Sequence, residues 1–298
     1  MEGAVISTTT LEPAQRELVL PHWHAQIELI RVLAGTLSCT VNGVERRVGA
    51  GSICMINRGQ IHRIACAGTE PCTVQTLMID PSLLTGDRAL RERAIDPMLD
   101  DERFTHAISS SQHALTREVA NLMDTIAELT EQQPGAYELA VIAFLHLIFQ
   151  KLCCLRHALA GAYAEQPADA LIYRKMVAFI YERYAQRLTL ADIAAAGNVG
   201  RSKCSDIFTR YARHTPIEFL NLYRLEMAAH LLRHSDDDIG QIALACGFSQ
   251  QSYFNRRFLA RYGMPPRAWR RAVHAKRSAE GAGAGASLTA PAPEPYPR

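Results

Sequence analysis

At 298 residues, 48% hydrophobic and 21% charged, the chain has the composition expected of an ordinary globular protein rather than a disordered or membrane one; it is also long for one core and comfortable for two. The net charge of +2 hides a separation: residues 1–170 hold 13 Lys and Arg against 20 Asp and Glu, while residues 171–277 hold 18 against 8, so only the second half is suited to approach a polyanion. No apolar run reaches the roughly 18 residues of a membrane span, and the first twenty residues carry acids and Pro13 in place of a signal pattern, so the expected location is the cytoplasm, without membrane attachment.

From Ile27 to Asp80 short β-type runs alternate with turn signals: IELIRVL, Ala34-Gly35, TLSCTV, Asn42-Gly43, VERRV, Gly49-Ala50-Gly51, SICMI. Such spacing predicts a meandering antiparallel sheet that closes into a small β-barrel. The same stretch contains His22-x-His24-x3-Glu28-x6-Gly35 and Gly51-x5-Asn57-x-Gly59-x2-His62. It resembles the two cupin motifs, with Asn57 where that family often has Pro. Alternation along neighbouring strands would point His22, His24, Glu28 and His62 into the barrel mouth. Three roles are open for them. They contact an organic effector, with Trp23 stacking on a sugar or aromatic ring unless it belongs to the core. They hold a divalent ion, for which imidazole and carboxylate suit Zn, Fe, Ni or Mn. Or they are structural polar groups at a barrel rim. Effector contact by His22, Trp23, His24, Glu28 and His62 is the leading assignment, and no metal cofactor is assigned. The eight cysteines are scattered without C-x2-C spacing and read as small core residues in a reducing compartment.

After Pro81 the period becomes helical. Leu115, Val119, Leu122, Ile126 and Leu129 mark one amphipathic helix; Val141, Phe144, Leu145, Ile148, Leu152, Leu155 and Leu159 mark a second after Pro134-Gly135. Either both pack on the barrel, or the first forms a short dimer seam. The small, polar stretch 161–170 predicts a linker between a sensing and dimerisation domain (1–160) and an all-helical domain (171–277). The Ala, Gly and Pro-rich segment 278–298 predicts a disordered tail.

The helical domain shows a helix-turn-helix pattern twice. In the first, Thr189 caps Leu190 to Ala196, Gly197-Asn198 turns, and a helix from Gly200 to Tyr211 presents Arg201, Ser202, Lys203, Ser205, Asp206 and Arg210 outward. In the second, Asp238 precedes Ile239 to Cys246, Gly247 turns, and Ser249 caps a helix from Gln250 to Arg261 that presents Gln250, Gln251, Ser252, Asn255, Arg256 and Arg257. Gln and Asn pair with adenine and Arg with guanine, so these faces suit base edges and phosphates. Thr215-Pro216 opens a connecting helix of nearly twenty residues, stiff enough to hold the two motifs about one DNA turn apart.

The strings LTLADIAAAGNVGRSKCSDIF, HTPIEFLNLYRLEMAAHLL and IGQIALACGFSQQSYFNRRFLARYGMPPRAWRR resemble the DNA-binding domain of the AraC/XylS family of transcription regulators over residues 188–271. Asn198 and Gly200 stand where the family usually has Gly and Ser, and Cys204 where it has a larger aliphatic residue. The resemblance implies an α+β chain, cupin-like barrel first and double helix-turn-helix second, that acts as a ligand-responsive activator. It implies double-stranded DNA, RNA polymerase and a second copy of the chain as partners, and a small effector such as a sugar. It also places Arg224 at a phosphate, or in an ion pair within the domain. The rival class is a metal-dependent cupin enzyme, a dioxygenase or isomerase using His22, His24, Glu28 and His62, with a DNA-targeting tail. No Gly-x-Ser-x-Gly, Walker or Rossmann pattern supports other catalysis, and the expectation is no enzyme.

Overall fold

The computed structural model describes residues 3–13, 20–85, 87–101, 103–159 and 168–280, and the chain divides into two compact units between Pro167 and Ala168. The first unit is built on eight strands: β1 (Ala4–Leu11), β2 (Ile27–Ala34), β3 (Thr36–Val41), β4 (Val44–Gly49), β5 (Ile53–Ile56), β6 (His62–Cys66), β7 (Cys72–Ile79) and β8 (His106–Ser109). They form two antiparallel sheets, β1-β7-β2-β5-β8 and β4-β3-β6. The four runs read from the sequence are β2 to β5. β6 and β7 fall within the stretch read as β without being named as runs; β1 and β8 lie outside it, the first because a Thr-rich strand before Pro13 lacks the flanking turn pairs, the second because four residues carry too little periodicity.

The Asn42-Gly43 turn joins β3 to β4 with both residues at positive φ, 49° and 81°, the conformation a two-residue hairpin requires. Period-two alternation then sorts side chains between two cores. Ile30, Val32, Leu37, Cys39, Cys54, Ile56 and Val74 fill the space enclosed by the two sheets. Ile27, Leu29, Ile53, Met55, Leu77 and Ile79 point to the other face of the larger sheet.

That second face is covered by helices. A 3-10 turn (Pro81–Leu83) and a short helical run, α1 (Arg88–Leu90) and α2 (Asp96–Leu99), lead to β8. Then α3 (Ala114–Gln132) and α4 (Tyr137–Leu159) lay Val119, Met123, Ile126, Val141, Leu145, Ile148 and Leu152 into one core with the sheet. The first of the two alternatives for these helices, packing on the barrel, is therefore what their apolar stripes do. Arg31 of β2 clamps α3, bonding Asp124 Oδ1 at 2.7 Å and the Ala120 carbonyl at 3.3 Å. One expectation needs correction. The stretch Tyr137–Arg156 of α4, with mean hydropathy 1.8, is long and apolar enough to cross a membrane by length and composition. Its buried residues belong to the core just described, while Leu139 and Leu147 are exposed.

The second unit is α5 (Ala168–Arg183), α6 (Leu190–Ala196), α7 (Arg201–Ala212), α8 (Pro216–His234), α9 (Ile239–Ala245), α10 (Gln251–Tyr262) and α11 (Pro266–Glu280). Helix thus begins within the expected linker, at Ala168, and α11 runs three residues into the expected tail; residues 161–167 and 281–298 lie outside the described residues. Two capping boxes fix helix starts, Thr189 with Asp192 on α6 and Thr215 with Glu218 on α8, where Pro216 occupies the first turn. α8 serves two cores. Its first half carries Phe219, which meets Tyr173 of α5 and Phe208 of α7 at ring distances of 6.4 and 5.5 Å. Its second half places Leu225, Ala228 and Leu232 with Ile242, Phe248, Phe254 and Phe258.

Candidate functional sites

In the first unit, a pair of backbone hydrogen bonds between His22 and His62, 3.0 and 2.8 Å, brings the chain before β2 against the start of β6. The Gly59 amide donates to the His24 carbonyl at 2.8 Å. Asn57 is buried and donates to the carbonyls of Met98, Leu99 and Phe104, tying the turn before β6 to the end of α2 and the segment after it. Glu28, the second residue of β2, points into the enclosed side of its sheet.

These constraints gather His22, His24, Glu28 and His62 into one cluster. The three imidazole centroids lie 4.4 to 5.8 Å apart, and one ring nitrogen from each histidine lies within 4.8 Å of the others. Each Nδ1 faces a backbone carbonyl two residues away: His22 with Leu20 at 3.1 Å, His24 with Gln26 at 3.1 Å, His62 with Gln60 at 2.9 Å. A carbonyl only accepts, so every Nδ1 carries the proton and every Nε2 is left for the interior. His62 Nε2 then sits 2.8 Å, and His24 Nε2 3.4 Å, from the same Glu28 Oε2. All three atoms are buried without an aligned hydrogen bond. Bare nitrogen lone pairs facing a carboxylate repel it, so a cation, a proton or a metal ion, belongs among them.

The electrostatics follow from this crowding. Burial and the neighbouring His62 push His22 down to about 3, so it stays neutral. Burial would raise Glu28, but His62 and His24 beside it outweigh that and hold its carboxyl below the usual range. Burial would lower His62, yet Glu28 overrides it and raises the imidazole. The set fits a divalent ion of the Zn, Fe, Ni or Mn kind: the donors are close to the roughly 3–4 Å spacing that bonds of about 2.1 Å produce, and each imidazole is oriented by a carbonyl behind it. Trp23, beside the cluster in sequence, is buried, 6% exposed.

In the second unit, α7 and α10 carry the expected outward faces. Arg201, Ser202, Lys203, Asp206 and Arg210 are exposed and Ser205 half-buried, while Cys204, Ile207, Phe208 and Tyr211 point inward. On α10, Gln251, Ser252, Asn255 and Arg256 are exposed and Arg257 half-buried, with Phe254 and Phe258 inward; Arg256 lies over the Tyr253 ring at 5.6 Å. Gln250 is the N-cap of α10, with no side-chain cap bond, so the expected cap at Ser249 is one residue early. In the first turn Asn198, at φ 54°, takes the left-handed conformation; in the second it is Gly247, at φ 82°. A side chain on Gly247 would meet the Tyr184 carbonyl at 2.7 Å.

Two placements depart from a simple DNA-facing assignment. Arg224, expected at a phosphate or in an ion pair, bonds the carbonyls of Tyr184 and Gln186 at 2.8 Å each and lies over Phe248 at 5.9 Å. It closes the chain after α5 onto α8. Lys203 and Arg210 both meet Asp169 of α5. Nothing local announces that contact, because Asp169 lies 34 and 41 positions away in sequence.

The comparisons with known proteins agree with both units. Residues 193–272 match the model of a helix-turn-helix domain and residues 7–80 that of a cupin domain. Across 254 residues the chain is 24% identical to the uncharacterized HTH-type transcriptional regulator YdeC of Bacillus subtilis (strain 168), covering 84% of this chain and 85% of that one. Across 266 residues it is 25% identical to the HTH-type transcriptional activator RhaS of Klebsiella pneumoniae (strain 342), covering 89% and 92%. Among solved structures it resembles in fold ToxT from Vibrio cholerae O395 bound to (E)-4-(8-methylnaphthalen-1-yl)but-3-enoic acid, with a TM-score of 0.50, 14% identity, and coverage of 91% and 100%.

Proposed function

We propose, for a chain that joins a cupin domain to an AraC-type helix-turn-helix domain and is thereby a ligand-responsive DNA-binding regulator of the AraC/XylS type, that the switch input is the His22, His24, Glu28 and His62 cluster loaded with a divalent cation. The observation that carries this reading is the convergence of His24 Nε2, His62 Nε2 and Glu28 Oε2, buried and without aligned hydrogen bonds, behind three Nδ1 atoms already bonded to carbonyls. The ion supplies positive charge and, beyond the four protein donors, positions open to an oxygen-bearing effector. A sugar that reaches the cluster does so through its hydroxyls at such a position, not between the imidazoles.

The output is promoter binding through α7 and α10. Gln251, Asn255 and Arg256 of α10 and Ser202 and Asp206 of α7 read base edges, and the flanking cations meet phosphates. The chain works as a regulator, not an enzyme, in the cytoplasm; like the RhaS relatives it activates, which involves RNA polymerase. It acts as a homodimer, a state that would cover the exposed Leu139 and Leu147 of α4.

Two measurements test the reading. Gel shifts at low salt on the DNA upstream of the chain's own coding region are expected to show a specific complex that Arg256→Ala and Gln251→Ala each weaken about tenfold, the usual cost of one good base contact. Binding that is weak, indifferent to sequence and unchanged by both substitutions overturns the output side. Metal analysis of the purified protein is expected to find one equivalent of a divalent transition metal, lost in His62→Ala. Metal-free protein whose melting is unchanged by chelator and by added Zn, Fe, Ni or Mn overturns the input side. Stoichiometric redox metal with turnover of an organic substrate would favour the cupin-enzyme alternative.

A further inference from the structure

The two cations on one flank of α7 are not free in this structure. Lys203 and Arg210 stand seven residues apart, two turns along the same stripe, and both reach a single carboxylate on α5. Lys203 Nζ lies 2.9 Å from Asp169 Oδ1 and 3.0 Å from Oδ2; Arg210 Nη1 lies 2.8 Å from Oδ2. The Asp169 side chain is only 13% exposed, whereas those of Lys203 and Arg210 are 49% and 58% exposed. An ammonium and a guanidinium converging on two oxygens of one anion is the arrangement that holds a phosphate.

We propose that Lys203 and Arg210 form a phosphate-binding site for the DNA backbone on the first helix-turn-helix motif, and that Asp169 occupies it as an intramolecular stand-in for the phosphate. Duplex binding through this flank then competes with the Asp169 carboxylate. On α10, by contrast, Arg256 rests on its own Tyr253 ring and meets no carboxylate among the contacts described. Asp169 is also the second residue of α5, the first helix after residues 161–167, which lead from the cupin unit in sequence. A displacement of the start of α5 would therefore release two cations by moving one carboxylate. Surface ion pairs hold weakly, so such a latch can be opened by a modest bias.

This inference rests on the DNA-binding reading, and the experiment separates the two. Full-length wild type, Asp169→Asn and Asp169→Ala are titrated into a fluorescent random-sequence 40-base-pair duplex across a salt series, with far-ultraviolet circular dichroism and melting as folding controls. Phosphate contacts do not depend on sequence, and each adds about 0.9 to the slope of log K against log salt. The expected result is tighter binding at low salt, about three- to tenfold, with a slope steeper by roughly one to two for both variants. Adding Arg210→Ala to Asp169→Asn should reverse most of the gain. Equal or weaker binding by folded Asp169 variants, with an unchanged slope, overturns the stand-in and makes Asp169 a residue that positions the cations. Should one variant unfold, the other decides. Absence of duplex binding by wild type and variants alike overturns the DNA-binding reading itself, and this inference with it.

Discussion

At the scale of the residue, the cupin cluster ties function to protonation. Unfolded His22 takes up a proton near its ordinary value of about 6.5, whereas the folded side chain, buried beside His62, refuses it down to about 3. The unfolded state then binds more protons than the folded one, so this group withdraws stability as pH falls below about 6.5. His62 acts in the opposite sense: its raised value gives stability that is present below about 6.5 and lost as pH rises through the folded value. Glu28, held low by the two histidines, contributes above about 4.3 and fails only in stronger acid. In chelator, His22→Asn is therefore expected to raise the urea midpoint at pH 5 relative to pH 7.5 compared with wild type, because only the destabilising proton has been removed. An identical pH profile for the two proteins would contradict the buried, neutral His22.

At the scale of the element, helix ends and turns decide where the recognition faces point. Arg224 shows what a surface pattern leaves out, since a cation on a connecting helix does not announce the carbonyls it bonds. Its two bonds to the carbonyls of Tyr184 and Gln186 satisfy acceptors at the end of α5 beside Gly247, where no side chain fits. Arg224→Gln is expected to destabilise the second unit by about 1.5–3 kcal/mol, the range for hydrogen bonds to a charged group. It should leave the salt slope of DNA binding unchanged where the protein stays folded. A slope lowered by about one, with melting unaffected, would return Arg224 to the backbone-contact class. The capping box of Thr189 and Asp192 belongs to the same scale: Thr189→Ala should cost about 1 kcal/mol in thermal unfolding and tilt the support helix of the first motif.

At the scale of the whole molecule, a ligand at the cluster alters promoter occupancy only if it favours one DNA-binding state over another, and the coupling is reciprocal. Metal loading of the cluster is accordingly expected to change duplex affinity by about 5- to 150-fold, with duplex changing metal affinity by the same factor. Anisotropy titrations with and without metal, paired with metal titrations with and without duplex, check both sides of that cycle. In Glu28→Gln, which keeps shape but removes the anionic donor, metal affinity should fall and the coupling fall with it. Two unequal factors would mean that the metal acts on something other than the DNA-binding equilibrium.

The amino-acid sequence by itself determined the classes of element and their order, because those rest on local physics. Apolar period two, Asn-Gly at a hairpin, Thr-Pro at a helix start and Gly or Asn at a positive-φ turn all act within a few residues. It also named the members of the His and Glu cluster, although only Glu28 and His62 lie on strands and folding places His22 and His24 in the chain before β2. Tertiary structure alone decided what each polar group meets: that His24 and His62 share one Glu28 oxygen, that Trp23 is buried, that Arg224 closes α5, and that Asp169 faces Lys203 and Arg210. The reason is distance along the chain. Those partners lie up to about forty residues apart, and the energy of a charge or a ring depends on neighbours that folding supplies, not on the residues printed beside it.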